Sequence, residues 1–188
     1  MRGFARIAVL LIAAVVAASA AVAQLPTQYY KNSTDGTPVP DVNKANPSDG
    51  TCWLATASNL LGAAGYGSGP TAQAKAQGIY TQLTGAYGTS IGGSPDKAMT
   101  YWLALHGKNP SSTLYDANNG YTDVTAEFRT LGQSDYDFLR GELFDCQYVA
   151  VGFDNPAHVM TMVGWDHNPT PTVSIWHDSD RNTILPGD

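Results

Sequence analysis

Asp49-Gly50-Thr51-Cys52-Trp53-Leu54-Ala55-Thr56-Ala57-Ser58-Asn59-Leu60-Leu61 is the stretch on which the reading of this chain turns. Gly50 and Thr51 close a loop, and Thr51 offers a capping hydroxyl. From Trp53 onward the residues are Ala/Leu-rich, with Leu54, Ala57, Leu60 and Leu61 at helical spacing. The sequence therefore predicts a helix that opens at Cys52. A thiol in a first turn meets unpaired N–H groups and the positive end of the helix dipole, both of which favour thiolate. The same N–H groups suit an oxyanion. A lone Cys is equally at home in a core, so the remaining residues have to decide.

Upstream, Met1 to Ala23 read as a signal peptide. Arg2 and Arg6 form the positive region, Ile7 to Val16 the apolar run, and Ala21-Val22-Ala23 the cleavage site. The run is short for a membrane span, and no Cys follows the cleavage site to carry a lipid. The protein is expected to be secreted or periplasmic. Loss of Arg2 and Arg6 makes the net charge of −6 more negative still and leaves no basic cluster. Nucleic acid and anionic membranes are poor partners for such a surface. The length suits one domain with a real core. Two cysteines are too few for a disulfide framework. Cys146, between Leu143-Phe144 and the apolar run from Tyr148 to Phe153, reads as a buried spectator.

Gln24 to Asp49 is rich in Pro, Asn, Thr and Asp without periodicity, and reads as an N-terminal arm, either ordered by contact or a flexible lead-in. Asn32-Ser33-Thr34 matches a glycosylation sequon. A Gly-rich loop from Gly62 to Pro70 precedes a second helix from Thr71 to Leu83. Ser94-Pro95-Asp96 opens a third, with Ala98, Met99, Trp102, Leu103 and Leu105 forming its apolar stripe up to His106-Gly107. Tyr121 to Thr125 suggests a short strand, and Ser134-Asp135-Tyr136-Asp137 the start of a fourth helix carrying Phe138, Leu139 and Leu143 inward. The period then switches from helical to two. Tyr148 to Phe153, His158 to Trp165 and Thr172 to His177 read as antiparallel strands joined by turn-rich segments. Helices followed by antiparallel strands predict an α+β fold.

The last hairpin carries a geometric expectation. If Trp165 lies roughly opposite Thr172, His158 lies within a residue of Ser179. That brings Asp178 and Asp180 beside His158. A His next to a carboxylate, together with a Cys at a helix start, supplies nucleophile, base and orienter for thiol acyl transfer. Asp178 and Asp180 are two apart and share a face, so the pairing does not choose between them.

The blocks Gly50-Thr51-Cys52-Trp53-Leu54-Ala55, His158-Val159-Met160-Thr161-Met162-Val163-Gly164-Trp165-Asp166 and Trp176-His177-Asp178-Ser179-Asp180 together resemble a papain-like cysteine peptidase. The likeness is nearest to the bacterial immunoglobulin-degrading endopeptidases and their secreted relatives. Gly92-Gly93 with Ala98 and Trp102, and Asp41-Val42-Asn43-Lys44, resemble further segments of that branch. The resemblance implies a papain-like domain over residues 50–188, with the nucleophile helix packed on a C-terminal antiparallel sheet. It implies Cys52 as nucleophile, His158 as base, Asp178 as orienting acid, Asp180 as a supporting carboxylate and Lys44 as an oxyanion donor. Protein or peptide is the implied substrate, and neither cofactor nor metal is called for. Two features depart from the family. The Lys-to-Cys spacing is shorter, and papain's oxyanion Gln has no counterpart near Cys52. The chain also ends soon after Asp180, where relatives continue, as a shortened version would. Related thiol acyl-transfer enzymes, such as a cell-wall amidase or a transglutaminase, and an inactive papain-like binding module are the alternatives.

Rival motifs fail on context. Gly67-Ser68-Gly69-Pro70-Thr71-Ala72 follows a helix, where a dinucleotide fingerprint needs a strand. Gly88-Thr89-Ser90-Ile91-Gly92 fits a nucleophile elbow but lacks a preceding strand. Asp178-Ser179-Asp180-Arg181-Asn182 begins like a calcium loop, yet Thr183 stands where Gly is required. His158, His167 and His177 lack metal-ligand spacing.

Overall fold

The computed structural model describes residues 28–46, 48–107, 136–144, 148–154, 157–166 and 173–180. The stretch after Thr51 forms α1 (Cys52–Ala63), and every residue from Trp53 to Ala63 is buried. A helix of apolar and small residues on all sides can be covered on all sides. Here α2 (Ala72–Tyr87) and α3 (Pro95–Leu105) pack on one flank and a sheet on the other. Small side chains set the approach: a Cβ on Gly62 would lie 2.6 Å from the Cβ of Ala76, so α1 and α2 can cross this closely only at a glycine. The hydroxyl of Thr71 accepts the Ala74 N–H at the start of α2, which runs four residues past the predicted Leu83 and ends at Gly88, in a positive-φ conformation (φ 76°). The third helix opens at Pro95 as expected, although Ser94 occupies the cap position without a side-chain cap bond.

The three predicted strands form as β2 (Val149–Asp154), β3 (Ala157–Asp166) and β4 (Val173–His177). A strand the sequence did not announce, β1 (Gln28–Tyr30), lies in the N-terminal arm and pairs antiparallel with the end of β3. The described part of the arm is thus ordered by contact. The registers place β4 on one edge of β3, and β2 followed by β1 along the other. Gly164 permits this, because a Cβ there would run into the carbonyl oxygen of Tyr29.

The hairpin register differs from the expected one. Trp165 faces Ser174 rather than Thr172, and a bulge between Met162 and Gly164 then reduces the offset, so that Thr161 faces His177. The bulge also shifts the alternation of faces. Met162 and Trp165 therefore both join the cluster made with Leu139 and Leu143 of α4 (Tyr136–Phe144), while Val163 packs with Ala63 of α1. The sheet is sandwiched, with α1 on one face and α4 on the other. The architecture is α+β, with the Cys52 helix packed on an antiparallel sheet.

No helix among the described residues is long and apolar enough to cross a membrane. The predicted signal peptide, the strand at Tyr121 to Thr125, the cap at Ser134-Asp135 and the buried Cys146 lie outside the described residues.

Candidate active site

Cys52 is the first residue of α1, half-buried, with a free thiol. The capping role expected of Thr51 is not taken up: its buried hydroxyl bonds the phenol of Tyr80 at 2.8 Å and makes no cap bond. The Leu54 N–H donates to the Thr51 carbonyl, and no Thr51 side-chain oxygen competes for the N–H groups nearest the sulfur.

His158 enters from the start of β3. Its Nε2 lies 2.8 Å from Asp178 Oδ1. A carboxylate can only accept, so Nε2 carries the proton and Nδ1 is left for the Cys52 thiol, to which the ring is also hydrogen-bonded. The bond to Cys52 raises the proton affinity of His158; burial opposes this, and the bond and charge of Asp178 add to the rise, for a value of about 9. The thiol moves the other way. Burial alone would push it up, but the His158 bond, the Val159 backbone N–H, and the charges of His158 and Lys44 together bring Cys52 below its ordinary value. The arrangement favours a thiolate–imidazolium pair.

Asp178 follows the last residue of β4, and its Oδ1 also accepts the Asp180 backbone N–H at 2.9 Å. Asp180 itself pairs with the Lys44 ammonium. The two acids that the hairpin pairing could not separate thus occupy different places: one on the imidazole, the other on the lysine. Lys44 is nearly enclosed, its side chain 4% exposed, and its Nζ also donates to the Asp49 carbonyl at 2.8 Å. Its backbone N–H donates to the Ser179 carbonyl, which fastens the arm to the turn that holds both acids.

Sequence reasoning missed three contributors. The Val159 N–H leaves no trace in a sequence, because every residue but Pro has one. Thr56 and Asn59 lie one and two turns beyond Cys52 on the same stripe of α1. Thr56 Oγ1 donates to the Val159 carbonyl (3.1 Å), Asn59 Nδ2 bonds Thr161 Oγ1 (3.3 Å), and Asn59 Oδ1 accepts the Val42 N–H (2.9 Å). Polar residues at i+4 and i+7 from Cys52 in an otherwise Ala/Leu helix were the available signal. The Gly92-Gly93 segment lies beside this turn too. Trp53 Nε1 donates to the Ile91 carbonyl, Gly93 packs flat on the Trp53 ring, and Gly50 N–H bonds the Thr89 carbonyl. The elbow-like Gly88 to Gly92 follows a helix, as its lack of a preceding strand implied.

His158, Asp178 and Asp180 each place a ligand atom within 4.8 Å of the others. Asp178 is committed to His158 and the turn, and Asp180 to the Lys44 ammonium, which already stands where a cation would compensate the acids. Comparison with models of protein families, with curated proteins and with solved structures returns no match. The functional reading therefore rests on the chemistry of these residues.

Proposed function

We propose that this chain is an exported, papain-like thiol hydrolase that cleaves peptide bonds in protein or peptide substrates. The observation that carries the reading is a single one: His158 bridges a free Cys52 at a helix start and Asp178 at 2.8 Å. Nucleophile, base and orienter come from α1, β3 and the end of β4, so the packing of α1 on the sheet is what assembles them. The helix-on-antiparallel-sheet arrangement supports the papain-like assignment.

In this mechanism the Cys52 thiolate attacks the substrate carbonyl carbon, and the carbonyl π-electrons move onto oxygen. First-turn N–H groups of α1, with the Lys44 charge behind them, stabilise that oxyanion. The imidazolium of His158 gives its Nδ1 proton to the leaving amine as the C–N bond breaks, which leaves an acyl-thioester. His158, now neutral, takes a proton from water; the hydroxide adds to the thioester, and the thiolate departs with the imidazolium restored. Asp178 keeps the ring oriented and stabilises its positive form throughout. A depressed thiol argues against an inactive binding module, which would gain nothing from ionising Cys52.

The test is a proteome-derived peptide library incubated with the protein, with new termini read by mass spectrometry. Cleavage is expected, and iodoacetamide confined to Cys52 should abolish it. Rapid alkylation at neutral pH without cleavage would move the assignment to acyl transfer onto an amine acceptor. Alkylation at the slow rate of an ordinary thiol would refute the thiol-enzyme reading altogether.

A further inference from the structure

In the sequence His177 reads only as a polar residue of the last strand, yet the structure gives it a specific place. It ends β4, directly before Asp178, and is 7% exposed. An apolar residue would fill a buried strand position at less desolvation cost, so a His there has to be satisfied by a partner. Its Nδ1 lies 3.0 Å from the Pro40 carbonyl, which fixes the proton on Nδ1. Pro40 belongs to a segment held from several sides. Asp41 exchanges two hydrogen bonds with the Gln73 side chain of α2, Val42 is bound by Asn59 of α1, and Lys44 by Ser179 and Asp180. Asp178 therefore sits between two anchors on one rail, His177 on Pro40 and Ser179 on Lys44. The rail itself is tied to the helix that carries Cys52.

Across the sheet His177 faces Thr161, whose hydroxyl is on Asn59. The charged groups around the ring are Asp41 from the rail and Asp178 from its own strand end. Burial raises the proton affinity of Asp41, His177 and Asn43 lower it, and the Asp178 charge raises it again. The carboxyl of partly buried Asp41 thus feels both His177 and Asp178. Asp41 Oδ1 is enclosed without a hydrogen-bond partner among the described residues, while a side-chain bond from Asn43 steadies the carboxylate.

We propose that His177 is a positioning residue: by docking on the Pro40 carbonyl it fixes the strand end from which Asp178 reaches His158. The inference rests on the thiol-hydrolase reading above. Strand ends fray, and a carboxylate one residue past the end of β4 would otherwise sample several orientations, only some of which meet Nε2. Holding Asp178 in place keeps His158 protonated and, through it, Cys52 ionised.

The test uses the full chain and follows the rate of Cys52 alkylation by iodoacetamide against pH, together with kcat and KM on a cleaved peptide. His177→Phe and His177→Leu keep the position apolar and remove the bond to Pro40. His177→Asn places an N–H close to where Nδ1 stands and serves as the conservative rescue. In the wild type the thiolate should form below the ordinary thiol range; if it does not, the reading of the site fails and not this inference alone. In the apolar variants the alkylation limb should move toward the ordinary thiol range, and kcat should fall on the order of 10–100-fold with KM unchanged, as for supporting partners of functional ligands. His177→Asn should stay within about three-fold of wild type, well under the loss expected for a lost supporting partner. A lower melting temperature with an unmoved alkylation limb would show a purely structural role and overturn the proposal. Should neither apolar variant fold, a folded His177→Asn protein that has lost ten-fold or more in kcat, the low end of the range for a lost partner, would overturn it equally.

Discussion

The two long faces of α1 do opposite work. The face formed by Leu54, Ala57 and Leu61 enters a dry cluster with Ile79 and Leu83 of α2 and Met99, Trp102 and Leu103 of α3. The face formed by Cys52, Thr56 and Asn59 lies against β3 and makes a hydrogen bond at every turn. Both are buried. Apolar contact is non-directional and tolerates small shifts, so the dry face supplies stability without fixing register. Hydrogen bonds are directional and costly to leave unmade, so the polar face fixes where Cys52 stands relative to His158. The difference teaches that one helix can separate stabilising from positioning simply by which stripe carries its polar residues.

The comparison can be broken most sharply at Cys52. Cys52→Ser is expected to cost on the order of 10⁶ in kcat, as for loss of a nucleophile in other hydrolases, with the melting temperature nearly unchanged. Substantial residual turnover would mean that the polar stripe does not carry the chemistry. Next come the two acids. Asp178→Ala should cost about 10²–10⁴ in kcat through loss of ring orientation and imidazolium stabilisation. Asp180→Ala, which removes the lysine's partner instead, should cost about 10–100-fold. Comparing the two folded variants in one assay checks this, and the reverse order would mean that the lysine pair matters more than the imidazole bond.

On the dry face, Leu61→Ala should lower stability by about 2–5 kcal/mol, read by denaturant unfolding, while the pH dependence of Cys52 alkylation stays as in the wild type. A shifted alkylation profile would show that the faces are not separable. Asn59→Ala should do less to stability, about 1–3 kcal/mol, because it strands the Val42 N–H and the Thr161 hydroxyl. Unlike Leu61→Ala it should slow turnover as well, and a stability loss with full activity would refute the positioning role of the polar stripe. The smallest effect is in the pH profile of the wild type. kcat/KM should rise as the thiol ionises, below its ordinary range, and fall as His158 loses its proton near pH 9. A single rising limb that continues past pH 9 would mean that no imidazolium takes part.

Much of the positive face of this picture was legible in the chain. The start of α1 at Cys52, the Pro95 start of α3 and the three C-terminal strands follow from period and composition, because one-dimensional patterns record which residues must be buried together. β1 was not legible: three residues held at the edge of β3 have too little pattern of their own, and the pairing comes from Gly164 making room. Thr51 misled for a related reason. Its hydroxyl had a tertiary partner in Tyr80, 29 residues away, that outbid the local cap.

The sequence by itself determined most of the elements and the cast: a helix opening on a thiol, antiparallel strands carrying His158, and two acids at the end of the last one. These are short-range facts, set by side-chain periodicity and by which groups seek water. Only the tertiary structure decided the division of labour. The bulge after Met162 shifted the hairpin by a residue, and Lys44, brought in by an arm with no periodicity, took Asp180 for itself and left Asp178 to the imidazole. Hydrogen bonds and ion pairs act over a few ångströms in space and carry no signature in chain separation. The choice between two acids two residues apart was therefore made by packing and not by pattern.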